Sequence, residues 1–329
     1  MFARMDQYTG AQMFVGNNGG INFMQDKIDL GVNIAGIQFS NPVIMASGTY
    51  GFGKEYSQYI DLNALGGISV KGLTLKERKG NPPPRIAETP AGILNSVGLQ
   101  NPGVDVFIEH DLPFLKQFNT KIIANISGNT IEEYCQMAEI LGNSEIDAIE
   151  MNVSCPNVKA GGLAFGTSPK LIEEITSAVR KYCKQPLIVK LSPNVTDIKA
   201  MAQAAEASGA DCVSLINTLL GMAIDIHRKK PILANNFGGL SGPAVKPVAL
   251  RMVYEAAHAV KIPVIGMGGI SSGEDAIEFL LAGAAAVMVG TANFVNPTVP
   301  IDILDGIKDY LKKYNYNSIN DIINKLEMN

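Results

Sequence analysis

Eight short apolar runs recur along the chain, each ending in small or polar residues and most followed by a stretch with helical spacing. They fall at 43–46, 67–70, 122–126, 148–153, 187–191, 212–216, 264–267 and 286–289. Continuous apolar runs of this length mark strands buried on both faces, as in a parallel sheet, rather than strands with one wet face. Helical patterns lie between most of them, at 54–62, 104–117, 131–141, 169–184, 197–208, 245–260 and 273–282, and two more at 301–310 and 319–326 close the chain. Eight alternating units without a long linker predict an α/β fold of the (β/α)8 TIM-barrel type, a single domain over 25–329. An open doubly wound sheet is the alternative. Residues 1–24 lack this pattern, and the run Gly16-Asn-Asn-Gly-Gly20 reads as part of a disordered leader or an appended extension. The organised chain begins near 27–32, with a short hairpin expected to cover the bottom of the barrel.

Composition narrows the function class. Hydrophobic residues make up 47% of the chain and charged residues 18%, enough for a large buried core. A net charge of -4 without a basic run points away from nucleic acid and anionic membrane as partners and toward a small-molecule substrate. The four cysteines, Cys135, Cys155, Cys183 and Cys212, form no C-x-x-C pair, which argues against a metal site and against an iron–sulfur cluster on this chain. Without a secretory signal or a bilayer-length apolar stretch, the expectation is a cytoplasmic protein with reduced thiols.

In such barrels chemistry sits on the loops that follow the strands. Here those loops carry Ser47, Gly48, Lys71, Gly72, Asn125, Asn152, Cys155, Lys190, Asn217, Thr218, Gly268, Gly269, Gly290 and Thr291. The glycine loops after the seventh and eighth runs occupy the place where barrel phosphate sites form, and glycine lets backbone N–H groups approach phosphate oxygens. This pairing serves aldolases, isomerases and flavoenzymes alike. The segment Gly48-x-x-x-x-Gly53-Lys54 nearly spells a phosphate loop, but Glu55 stands where a magnesium-binding hydroxyl is needed, so a plain glycine turn is the better reading. Lys71 and Lys190, each ending an apolar run, need an anionic partner: a substrate, an electron-rich ring, or a nearby carboxylate. Cys155 lies between Asn152 and a glycine-rich loop, where a core position is improbable; the other three cysteines read as core residues. Of His110, His227 and His258, only His227 is a plausible loop member.

At Asn152-Val-Ser-Cys155-Pro-Asn157 and Asn95-Ser-Val-Gly-Leu-Gln-Asn-Pro-Gly103 the sequence resembles the dihydroorotate dehydrogenases. Supporting stretches are Gly80-Asn-Pro-Pro-Pro-Arg85, Val189-Lys-Leu-Ser-Pro-Asn-Val-Thr-Asp197, Ile216-Asn-Thr218 and Gly238-Gly-Leu-Ser-Gly-Pro243, and the likeness runs over about 27–315. It is closest to the class 1B catalytic subunits. The resemblance implies one FMN per chain and oxidation of (S)-dihydroorotate to orotate in pyrimidine biosynthesis. Cys155 would take the C5 proton while hydride passes from C6 to the flavin. It implies substrate contacts at Lys71, Asn95, Ser96, Val97, Gly98, Leu99, Asn152, Asn217 and Thr218. FMN contacts would come from Ser47, Lys71, Gly72, Asn125, Asn152, Lys190, Ile216, Gly242, Gly268, Gly269, Gly290 and Thr291. The residue chemistry agrees: asparagine amides match the imide edges of orotate, Lys71 can balance its carboxylate, and Lys190 can meet the charge of a reduced flavin.

The class 1B likeness, carried by residues 158–167 and 217–222, implies an electron-transfer partner subunit holding FAD and a 2Fe–2S cluster, which passes electrons to NAD. The assembly it implies is a heterotetramer around a catalytic homodimer. A membrane-associated, quinone-using class is disfavoured, because its base is serine. Three other readings are open: another FMN barrel acting on pyrimidines that lack a carboxylate, a silent scaffold barrel without flavin, and a Schiff-base aldolase on Lys190.

Overall fold

The computed structural model describes residues 28–153 and 165–329. Cys155, residues 1–24 and most of the glycine-rich loop after Cys155 lie outside the described residues. Eight parallel strands close into a barrel in chain order, the eighth pairing with the first through Val287 and Val43. They are Val43–Met45, Gly67–Ser69, Lys121–Ile126, Ala148–Asn152, Leu187–Lys190, Cys212–Leu215, Val264–Met267 and Ala286–Val289, here barrel strands one to eight. Each lies within one residue of its predicted run. Every strand residue except Lys121 is buried, as expected for a sheet with side chains filling its inside and helices covering its outside. The described residues therefore form a closed (β/α)8 barrel, not an open sheet.

The surrounding helices begin where the sequence offers a cap. Thr130, Ser168, Asp197 and Ser272 accept backbone N–H bonds at the starts of Ile131–Leu141, Pro169–Arg180, Ile198–Ala207 and Gly273–Leu281. Helices Lys246–Ala257 and Val299–Lys313 follow the sixth and eighth strands. The helix after the second strand, residues 104–115, contains a π turn at Phe107–Asp111. The hairpin Val32–Ile34 and Ile37–Phe39 leads into the first strand, and Phe39 packs beneath Gly67 at the foot of the second.

Two predicted helices are not formed. Residues 54–62 give only a 3-10 turn, Tyr56–Gln58, because Gly51 and Gly53 lie at positive φ and Asp61 is extended to cap a second turn, Leu62–Ala64. Residues 319–326 give only Ile319–Asp321; Asn324 adopts φ 57 and its N–H bonds to Leu280 O, so the tail runs along its neighbour instead of coiling. Lys54 pairs with Asp111 at 2.7 Å, so the glycine turn before it serves packing rather than phosphate.

The largest element without a counterpart in the expectations is a second sheet. Leu219–Gly221, Gly238–Ser241, Gly92–Asn95 and Ile86–Thr89 form a four-stranded antiparallel sheet, in that spatial order. Its strands come from the loops after the second and sixth barrel strands. Leu94, Ala87 and Leu233 give it a small core of its own. It walls one side of the C-terminal mouth.

Candidate active site

The mouth of the barrel opens into a cavity of about 770 Å³, within the range of small-molecule and cofactor sites. All the loop residues named above as phosphate, lysine or amide candidates line it, as do Asn95, Val97, Gly98, Leu99, Ile216 and Gly242. Ser96 does not. Its hydroxyl is buried without a hydrogen-bond partner, while its backbone carbonyl takes the Asn81 amide. His227 sits on an exposed turn and is not among the lining residues.

The polar groups of the lining fall into three sets. In the first, Gly268 and Gly269 adopt φ 125 and 77, and a methyl on Gly269 would come within 2.8 Å of Lys246 Cβ. Gly290, after the neighbouring eighth strand, has nothing nearer than 3.7 Å to where a Cβ would be, and Gly48 has nothing within 4 Å. This set is a backbone-lined cradle. Thr291 donates to Ser241 Oγ at 2.8 Å and ties the cradle to the antiparallel sheet. Lys246 is engaged by Asp275 at 2.6 Å and Glu278 at 3.0 Å, and the hydroxyl residues Ser241, Ser271 and Thr291 line the cavity beside the glycines.

A second set is Lys190 and Asn125. Lys190 is 5% exposed and donates to Ser47 Oγ at 3.4 Å. Asn125 is fully buried; its Nδ2 donates at 2.5 Å to Glu150, while its Oδ1 has no protein partner. A buried amide oxygen without a donor costs free energy unless a ligand supplies one. Gly72 keeps that oxygen open: a Cβ there would lie 3.0 Å from Asn125 Oδ1 and 3.3 Å from Leu99 Cδ2.

A third set, Asn152, Asn217, Thr218, Asn95 and Lys71, also lines the cavity. Asn217 Nδ2 donates to Asn152 Oδ1 at 3.4 Å, and Tyr134 holds the Asn152 carbonyl at 2.7 Å. Asn95 donates to Gly239 O at 3.3 Å across the antiparallel sheet. Leu99 and Gly98 both lie at positive φ, and buried Asn101 braces them. Its Oδ1 accepts from Thr74 and Gly103 N–H, and its Nδ2 donates to Leu99 O at 2.7 Å. Asn101 and Asn194, which accepts from Leu220 N–H at 2.9 Å, are positioning groups the sequence reading missed.

Glu150 was missed as well, though a signal existed. It is a lone charge inside an apolar strand, two residues before Asn152 and therefore on the same inward face. It is fully buried and accepts from Ser69 Oγ at 2.8 Å, Ser214 Oγ at 2.7 Å and Asn125 Nδ2, with Lys190 Nζ at 3.8 Å. The carboxylate partner left open for Lys190 is thus present, buried rather than exposed.

The remaining cysteines behave as packing residues. Cys212 and Cys183 are buried and Cys135 is half-buried. Burial pushes the Cys183 thiol up to about 11, and the Cys212 and Cys135 thiols are also raised by burial.

The family model for dihydroorotate dehydrogenase matches residues 29–311. The chain is 63% identical over 296 residues to a protein of Alkaliphilus metalliredigens named dihydroorotate dehydrogenase B (NAD(+)), catalytic subunit, covering 90% of this chain and 98% of that one. Proteins of the same name from Thermoanaerobacter sp. and Bacteroides fragilis are 59% and 58% identical over 301 residues, covering 92% and 91% of this chain and 100% and 99% of theirs.

Proposed function

The chain belongs to the dihydroorotate dehydrogenase family, and from that premise we propose that it oxidises (S)-dihydroorotate to orotate in pyrimidine biosynthesis, in the cytoplasm, through a bound FMN and an electron-transfer partner that reduces NAD. The observation that carries this reading is one cavity lined by glycine loops, by the buried Lys190 and Asn125, and by the amides of Asn95, Asn152 and Asn217 together with Lys71. A flavin mononucleotide fits it. Its phosphate matches the backbone at Gly268, Gly269 and Gly290, and its imide N–H matches the orphaned Asn125 Oδ1. FMN supplies the hydride acceptor for C6.

The chain's own groups do the rest. Lys71 faces the substrate carboxylate, and Asn95, Asn152, Asn217 and Thr218 present donors and acceptors to its imide ring. The Sγ of Cys155 takes the proton from C5, and Lys190 places positive charge where the ring system gains electrons. The named relatives are catalytic subunits of an NAD-linked enzyme. On this reading, FAD and a 2Fe–2S cluster belong to a partner, and a catalytic homodimer forms the centre of a heterotetramer.

The purified chain is expected to be yellow. Anaerobic dihydroorotate should bleach its flavin band, and dihydrouracil, lacking the carboxylate that Lys71 meets, should do so at least ~100-fold more slowly. NAD should reoxidise the flavin only after the partner is added. A colourless protein, equal bleaching by both compounds, or rapid NAD turnover by the lone chain would each overturn a part of this reading.

Gly72→Ala tests the cofactor position separately. The added methyl crowds Asn125 Oδ1 and Leu99, a strain of about 1–3 kcal/mol. Fluorescence titration of flavin-free protein should show FMN binding weakened about tenfold or more; unchanged affinity would remove Asn125 from the binding surface.

A further inference from the structure

Five barrel strands meet at one carboxylate. Glu150 stands on strand four, Ser69 on strand two, Asn125 on strand three, Lys190 on strand five and Ser214 on strand six. Oε2 accepts from Ser69 and Asn125, and Oε1 accepts from Ser214. Lys190 stays 3.8 Å away, farther than any of these donors. A carboxylate present only to neutralise the lysine would hold the ammonium in direct hydrogen-bond contact, at about 2.7–2.9 Å. Here the close contacts go to an amide and two hydroxyls, and the ammonium is left nearer the cavity side, within reach of Ser47.

The consequence for Asn125 follows from donor and acceptor chemistry. A carboxylate accepts only, so the amide can turn only its NH2 toward Glu150. Its oxygen is thereby aimed away from the carboxylate, where it is buried without a protein donor. The consequence for Lys190 is electrostatic. A negative charge beneath the ammonium offsets part of the field it projects into the cavity, in a site where burial leaves little screening.

We propose that Glu150 is a positioning residue for the bound flavin: it locks the Asn125 amide with its acceptor toward the ring and moderates the positive field of Lys190, so holding down the flavin's reduction potential. This rests on the flavin reading given above. It involves a residue that does not touch the ligand and acts through two that do.

Two variants test it. Glu150→Gln keeps the shape and removes the charge. The field of Lys190 is then uncompensated and favours the anionic reduced ring, so the midpoint potential of the bound flavin should rise. The expected shift is at least tenfold in the equilibrium constant, about 30 mV for a two-electron couple. Glu150→Asp keeps the charge but draws the oxygens back by about one C–C bond, roughly 1.5 Å. It cannot hold Asn125 and Ser214 together, so FMN affinity should fall about tenfold or more while the potential stays within about threefold of wild type in the equilibrium constant. A residue that only fills the barrel would lower the melting temperature of the flavin-free protein in both variants and leave potential and affinity unmoved; that outcome sinks the proposal. If Glu150→Gln does not fold, the affinity of Glu150→Asp decides alone. A wild-type chain that binds no flavin would instead overturn the function reading, a result distinguishable from flavin-loaded variants that match wild type.

Discussion

Exchanging Cys155 for alanine should slow flavin reduction by dihydroorotate about 10²–10⁴-fold and leave the flavin content unchanged, the usual span for losing a positioned general base. Oxidation removes a proton from C5 and a hydride from C6, and a hydride acceptor alone does not remove the proton. Asn152, three residues before Cys155, lines the cavity, which ties the segment's start to the site. The pH profile identifies the thiol. Burial raises Cys183 to about 11 and raises Cys212 and Cys135 as well, so these three stay protonated near neutral pH and cannot supply a thiolate there. A thiol must lose its proton before it can act as a base, so the wild-type rate should climb with rising pH and level off once the thiol is ionised. In Cys155→Ala the climb should vanish along with the rate. Stopped-flow absorbance under anaerobic conditions measures both. A variant that reduces its flavin as fast as wild type would exclude Cys155 as the base.

The barrel was legible because its strands obey one rule. A strand buried on both faces is apolar at most of its positions, and the run at 264–267 matches its strand residue for residue. The helices were legible where a capping side chain fixes the start, as Thr130 and Ser272 do. The antiparallel sheet obeyed neither rule. Its strands are three or four residues long, and Gly92, Gly221, Gly238 and Gly239 supply backbone without side-chain pattern. Its pairing of Gly239 with Asn95 joins residues far apart in the chain, a contact that no local window contains.

The site divides along the same line. Lys71, Lys190, Asn125 and the glycine loops could be read from their places at strand ends. The particular substrate and flavin contacts came from motif resemblance. Glu150 escaped because attention to strand ends passes over strand interiors. Yet alternation places Glu150 with Asn152 and Ser69 with Lys71 on shared inward faces, so the polar layer under the site was present in the sequence as pairs two residues apart. What the sequence did not contain was the closure that brings Ser69, Asn125 and Ser214 to one carboxylate.

That layer leads to the second large effect. Lys190→Met should destabilise the flavin-free protein by roughly 3 kcal/mol, at the lower end for breaking a buried ion pair. For a domain of this size that is a fall in Tm of roughly 5 °C. The cause is the charge left behind, buried without the attraction that had offset its desolvation. Glu150 is fully buried, and methionine gives it no cation. Ser69, Asn125 and Ser214 still donate to it, which keeps the cost near the lower limit. Removing the charge from both partners should recover most of the loss, because neither member of a discharged pair is stranded. The double variant Lys190→Met with Glu150→Gln is therefore expected to melt within about 2 °C of wild type, and the cycle built from the two single variants measures the coupling directly. Catalysis should not recover with stability. The double variant still lacks the cation that faces the cavity, so its flavin should remain slow to accept electrons from dihydroorotate. Recovery of the melting temperature together with full activity would mean that Lys190 serves the barrel's packing and not the chemistry at its mouth.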